Sequence, residues 1–184
     1  MRVYEGAPRQ NYQEVLRSIG ALLDQRGMRE ILLTEGPDGF IVQGLAPVAG
    51  DAAWSESAGR LEKETLTFVE DDIARFMDEA LARRNTAAAA AAGTLPPGTS
   101  PPPARPVGFY EQALRVLGAY VDQQKPRDVF FLEQDHAFVM RLLMPTRAGA
   151  HHVLAEFTAE DIEAMVNSGP QLRGQAAGEE ASAG

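Results

Sequence analysis

The feature that most constrains this chain is a pattern that occurs twice. Residues 12–47, moved by 98 positions, fall on 110–145 without a gap, and twelve of the 36 pairs are identical. They are Tyr12/Tyr110, Leu16/Leu114, Arg17/Arg115, Gly20/Gly118, Ala21/Ala119, Asp24/Asp122, Gln25/Gln123, Arg29/Arg127, Glu35/Glu133, Phe40/Phe138, Leu45/Leu143 and Pro47/Pro145. The register resumes at an offset of 89, where Phe68-Val69-Glu70-Asp71-Asp72-Ile73 aligns with Phe157-Thr158-Ala159-Glu160-Asp161-Ile162. The second copy is therefore nine residues shorter between these blocks. A tandem duplication of this kind asks for one small fold and one way of docking two copies of it.

Composition sets the boundaries. Residues 85–108 run through Ala87 to Ala92 and Gly93 into Pro96, Pro97, Pro101, Pro102, Pro103 and Pro106. Alanine prolongs a preceding helix as far as Gly93, and the proline cluster then ends it. The expected organisation is a first repeat over 1–84, a flexible Ala/Pro-rich linker over 85–108 and a second repeat over 109–173. A disordered tail follows over 174–184. As a coil, the 24-residue linker spans about 27 Å, enough for side-by-side docking. Each repeat alone is near the size at which a single core is marginal, which favours docking.

Each copy has the same expected order of elements. Tyr12, Leu16, Ile19 and Leu23 recur at helical spacing, as do Tyr110, Leu114, Leu117 and Val121. Gly27 suits a left-handed helix end, and Pro126 stops the second helix. Ile31-Leu32-Leu33 leads through Gly36-Pro37-Asp38-Gly39 into Phe40-Ile41-Val42, which is hairpin chemistry. Val129 to Leu132 leads in the same way through Gln134-Asp135-His136 to Phe138-Val139-Met140. A third strand is expected over 61–68 and over 151–157. Thr158-Ala159-Glu160-Asp161 then has the capping-box pattern of a helix start, whereas Val69 at the matching position does not. The reading is α+β: an α-β-β-β-α unit twice over, antiparallel sheets with helices on one face, and pseudo-two-fold docking.

Several functions are disfavoured. The chain carries 17 basic against 26 acidic residues and no cysteine. The net charge is −5 over 1–84 and −3 over 109–173, so neither repeat offers a basic face overall to a phosphate backbone. The order of elements is similar to that of the double-stranded RNA-binding domain, whose phosphate contacts rest on lysines opening the second helix. Here those positions read Glu70-Asp71-Asp72 and Ala159-Glu160-Asp161, which repel phosphate. The likeness is one of topology alone, and no nucleic-acid partner is expected. Without cysteine there is no disulfide framework, thiol nucleophile or thiolate metal site. No apolar run reaches a membrane span, and the first residues lack the core of a signal peptide. A soluble cytoplasmic protein is expected. Two lysines against fifteen arginines, with abundant alanine, suit a GC-rich, bacterial genome.

The residues kept in both copies supply the candidate sites. Gly20 and Gly118 fall mid-helix, where glycine costs about 1 kcal/mol relative to alanine, which points to close backbone approach. Arg17, Gly20 and Asp24 form a stripe repeated by Arg115, Gly118 and Asp122. Two antiparallel first helices crossing near the glycines would face Arg17 with Asp122 and Arg115 with Asp24. Glu35 and Glu133 end the first strand on its core side and are candidate pocket carboxylates, although a strand end is also where a solvated glutamate belongs. His136, His151 and His152 lack helical zinc-site spacing, so no metal or other cofactor is expected. Trp54, in the loop 50–60 inserted in the first copy, is either packing or a partner anchor. The opposite strand face, with Leu32, Ile41, Leu45, Phe130, Leu132, Val139 and Leu143, stays apolar with no helix over it. Either the two copies bury these faces against each other, or another chain covers them. The leading functional expectation is a non-catalytic protein-interaction or assembly module, with a protein partner or self-association. A small-molecule sensor with a site between the repeats comes second, and an enzyme of unrecognised type third.

Overall fold

The computed structural model describes residues 11–48, 60–94, 107–135, 137–147 and 149–168. The elements run α1 (Tyr12–Arg26), β1 (Arg29–Gly36), β2 (Gly39–Pro47), β3 (Leu61–Val69) and α2 (Glu70–Ala91). They continue as α3 (Phe109–Gln124), β4 (Asp128–Gln134), β5 (Ala137–Thr146), β6 (Gly149–Phe157) and α4 (Ala159–Ser168). Among the described residues the fold is α+β, four helices on one six-stranded antiparallel sheet.

Local chemistry sets the helix ends. The Asn11 side chain accepts the Glu14 N–H at the start of α1. Gly27 closes that helix at φ 63°, donating to Asp24 O. Val69 offers no side-chain cap to α2, but Glu70, Asp71 and Asp72 fill its first turn and suit the positive end of the helix dipole. At α4 the Thr158 hydroxyl accepts the Asp161 N–H at 3.2 Å while the Asp161 carboxylate accepts the Thr158 N–H at 3.0 Å. Alanines carry α2 to Ala91, so its last residues belong to the stretch read as linker from sequence. Residues 95–106 of that stretch, and the tail, lie outside the described residues.

The strands form one sheet in the order β3-β2-β1-β4-β5-β6. Two separate sheets, or two sheet faces buried against each other, were the expectation from sequence. The structure instead joins the halves edge to edge through β1 and β4. That ladder is short: Leu32 pairs with Leu132, Leu33 with Phe131 and Thr34 with Phe130. Within the first half, β1 is bulged between Arg29 and Leu32, with Glu30 at φ 52°. In the second half β4 pairs with β5 residue for residue from Asp128 to Gln134.

One sheet face carries the core. Ile31, Leu33, Phe40, Val42, Val129, Phe131, Phe138 and Met140 are buried, and they pack with Leu16, Ile19, Leu23, Leu114, Leu117 and Val121 of α1 and α3. Ile73 of α2 and Ile162 and Met165 of α4 join the same core, with Phe76 against Phe68 and Tyr120 against Phe157 at its flanks.

The first and third helices run antiparallel in close contact, and their glycines explain how. A Cβ added at Gly20 would lie 2.3 Å from the Tyr110 carbonyl oxygen, and one at Gly118 would lie 2.6 Å from the Tyr12 carbonyl oxygen. Each glycine thus admits the first turn of the other helix rather than the other glycine. Gly20→Ala and Gly118→Ala are expected to destabilise the chain by about 1–3 kcal/mol in urea unfolding. An open helical site would instead gain about 1 kcal/mol from the same change. A stabilised variant would refute the close approach.

Candidate interaction surface

Under the helices, the residues retained in both halves make reciprocal polar contacts. The Tyr12 hydroxyl donates to Glu35 Oε2 at 2.8 Å, and the Tyr110 hydroxyl donates to Glu133 Oε2 at 2.6 Å. The Ile31 N–H also donates to Glu133, at 3.1 Å, just where the β1–β4 ladder stops. Glu35 is 8% exposed. These carboxylates act as acceptors inside the fold, and neither lines the recess described below. The sequence places both tyrosines in the apolar stripe of their helices, which by itself gives no sign of the bond to glutamate. The available signal was the spacing, since each tyrosine precedes its glutamate by 23 positions.

The two aspartates have a role different from the expected one. Asp24 Oδ1 and Oδ2 accept the N–H groups of Tyr110 and Glu111, at 3.1 and 2.9 Å. Asp122 accepts those of Tyr12 and Gln13, at 2.9 and 3.0 Å. Each carboxylate therefore satisfies the otherwise orphaned donors at the start of the other half's helix. Gly108, before α3, offers no side-chain cap of its own, and a Cβ there would sit 2.1 Å from the Asp24 carboxyl carbon. The expected Arg17–Asp122 pairing is thus replaced. Arg17 Nε donates to Glu111 Oε1 at 3.0 Å, because Asp122 is committed to backbone. The counterpart of Glu111 in the first half is the uncharged Gln13, so Arg115 cannot repeat that ion pair.

A recess of about 160 Å³ lies between α1, α2 and the first turn of α3, lined by Arg17, Ser18, Ala21, Ala80, Arg83, Arg84 and Glu111. That is smaller than the roughly 300–1,000 Å³ of small-molecule sites. Two of its arginines are already paired, Arg17 with Glu111 and Arg84 with Glu14 at 2.6 Å. His151 and His152 are exposed on the edge strand β6. No cluster of three metal-ligating side chains occurs among the described residues. His136 and Trp54 lie outside the described residues. No helix among them is long and apolar enough to cross a membrane.

The other sheet face is the larger feature. Two transverse rows cross all six strands. One reads Thr65, Gln43, Leu32, Leu132, Val139 and Glu156. The other reads Thr67, Ile41, Thr34, Phe130, Arg141 and Leu154. Leu45 and Leu143 extend the apolar area on either side. Ile41 is 41% exposed and Leu154 63%, while Leu32, Phe130, Leu132 and Val139 are half-buried. The Arg141 guanidinium covers the Phe130 ring at 4.8 Å. With strands about 4.8 Å apart, the whole face, polar side chains included, measures roughly 600–700 Å², and six of the twelve side chains in the two rows are apolar. At the free edges, Glu62, Lys63 and Glu64 on β3 and Glu156 on β6 discourage strand addition.

Two outcomes check the polar contacts. Asp24→Ala and Asp122→Ala are each expected to cost about 1–2 kcal/mol of stability, and Arg17→Ala less than about 1. Equal losses at all three positions would put the cross-helix weight on charge pairing instead. Burial, then the hydrogen bond and charge of Glu133, push the Tyr110 phenol well above its ordinary value, and burial pushes Tyr120 up. The folded chain keeps these protons where the unfolded chain releases them. This contribution to stability is complete below about pH 10 and falls as pH rises further. Tyrosinate absorbance from these two residues, assigned with Tyr110→Phe and Tyr120→Phe, is expected to appear together with loss of helical circular dichroism. Tyrosinate at Tyr110 near pH 10 with native dichroism would contradict it.

Comparison of the chain with protein-family models, with curated proteins and with solved structures finds no match, so the functional reading rests on the geometry above.

Proposed function

We propose that this chain is a non-catalytic protein-interaction module, a duplicated α-β-β-β-α unit closed by a pseudo-two-fold axis, that docks an apolar protein surface across its uncovered sheet face. The observation that carries the reading is that face itself: two rows spanning six strands, with leucine, isoleucine, valine and phenylalanine at their centre and no helix of the described residues above them. Leaving such an area in water forfeits hydrophobic free energy that a partner would recover.

The duplication is supported by contacts that occur twice with the halves exchanged. Gly20 meets Tyr110 and Gly118 meets Tyr12, each pair being the other displaced by 98 positions. Asp24 and Asp122 cap each other's helices in the same exchanged sense. In the central ladder Leu33 faces Phe131, its own counterpart, which is where a two-fold axis would pass. The net charge of −9 and the acidic first turns of α2 and α4 keep nucleic acid out of the proposal. The recess between α1, α2 and α3 gives less support to a small-molecule sensor, being small and largely ion-paired.

The test is side-chain labelling by hydroxyl radicals of the full chain in extract of its host cells. Leu154 of the sheet face is expected to react several-fold more slowly than Leu81 on the helix side, although it is 63% exposed against 41%. Reactivity that simply follows exposure would remove the docking face.

A further inference from the structure

Resting on the reading of the sheet face as a docking surface, we infer that its occupant is a second copy of this chain, two six-stranded sheets stacked back to back with all helices outward. Three observations carry this.

The first is area. Two faces of this size bury roughly 1,200–1,400 Å² in total, within the range of specific, stable interfaces. Sheets stacked face to face keep their strands within about 30° of each other, so most of both faces can be used.

The second is where the charge lies. A net charge of −9 on each copy opposes self-association in general. Here much of the acidity is on the helices: Glu70, Asp71, Asp72, Asp78 and Glu79 on α2, and Glu160, Asp161 and Glu163 on α4. The two rows that cross the sheet carry one cation, Arg141, and one anion, Glu156. The acidic layers would face away from each other, with both sheets between them.

The third is where the charges of this face fall when a two-fold axis relates the copies. A two-fold axis perpendicular to the strands would set β5 over β5 and β6 over β6; run along either row, it would stack Arg141 on Arg141 or Glu156 on Glu156. A two-fold axis parallel to the strands, midway between β1 and β4, instead sets β5 and β6 over β2 and β3. Each row then lies over itself with the strand order reversed, so Glu156 meets Thr65 and Arg141 meets Ile41. Lys63, about 7 Å along β3 from Thr65, comes within side-chain reach of the other copy's Glu156. This contact occurs twice, as an isologous interface requires. At the centre Leu32 of one copy meets Leu132 of the other, and Phe130 meets Thr34.

Light scattering and sedimentation of the purified full chain test the inference. At micromolar concentration the expected mass is about twice the 19.9 kDa of one chain. Leu154→Lys lies at a site already 63% exposed, so the fold tolerates it. It is expected to raise the dimer dissociation constant at least tenfold with unchanged circular dichroism, and Leu132→Lys to raise it further. Lys63→Glu and Glu156→Lys are each expected to weaken the dimer three- to tenfold, and their combination to restore it. A mass of one chain at 100 μM overturns the self-association, and a dimer indifferent to Leu154→Lys and Leu132→Lys overturns the sheet face as its interface. Outer-face protection in host extract alongside a monomeric purified chain would retire the second copy as occupant while leaving the docking face. Loss of both results would retire the two readings together.

Discussion

The reciprocal capping between α1 and α3 is the interaction on which the rest of this architecture depends. The β1–β4 seam pairs only three positions and could not by itself hold two half-sheets in one plane. The antiparallel helix pair above it supplies the missing constraint. Glycines at 20 and 118 let each helix start approach the other's backbone, and Asp24 and Asp122 satisfy the donors exposed there. A helix start buried without such partners would leave amide groups unpaired, at about 1–3 kcal/mol each. Beneath the helices, the Tyr110–Glu133 pair reaches the Ile31 N–H where the ladder stops. Cap, glycine and carboxylate thus work on the same joint from opposite sides of the core.

Much of this was legible in the sequence, and the limits of that legibility are physical. Helical spacing in Tyr12, Leu16, Ile19 and Leu23, and the Pro37-Asp38-Gly39 turn, depend on local conformation, which neighbouring residues determine. Glycine at 20 and 118 signalled close approach because mid-helix glycine has an intrinsic cost that something must offset. The target of that approach was not legible. An Arg–Gly–Asp stripe suits an ion pair across two helices as well as it suits a cap, and only the relative offset of the helices decides between them. The structure slides each helix until the aspartate meets the other's first turn, and Arg17 finds Glu111 instead of Asp122. Strand pairing between the halves was equally hidden. The alternation that marks β1 and β4 as buried on one face says nothing about which edge each presents. The same strands could have supported two stacked sheets or the single sheet observed.

The halves also differ in ways that bear on use. The bulge near Glu30 has no counterpart in the evenly registered β4–β5 ladder. Glu111 stands where the first half has Gln13, so the Arg17 ion pair is made on one side of the joint only. The second helix also differs in length, with α2 running to Ala91 while α4 spans ten residues. None of these departures falls on the glycine–aspartate joint, which is preserved in both directions.

The apolar character of the outer sheet face is not something the fold demands. Positions 98 apart occupy corresponding places in the two half-sheets, and they show what each place tolerates. Thr34 and Leu132 correspond, as do Gln43 and Arg141, so the strands accept polar side chains on this face without loss of pairing. A central strand needs β-branched or aromatic residues for its buried side, and threonine serves well on a side facing water. Yet Leu32/Phe130, Ile41/Val139 and Leu45/Leu143 are apolar in both halves, and Leu132 adds to them where threonine would suffice. A surface that pairs its backbone equally well with polar residues, and still carries large apolar ones across the middle of six strands, is the kind of surface on which the proposed docking rests.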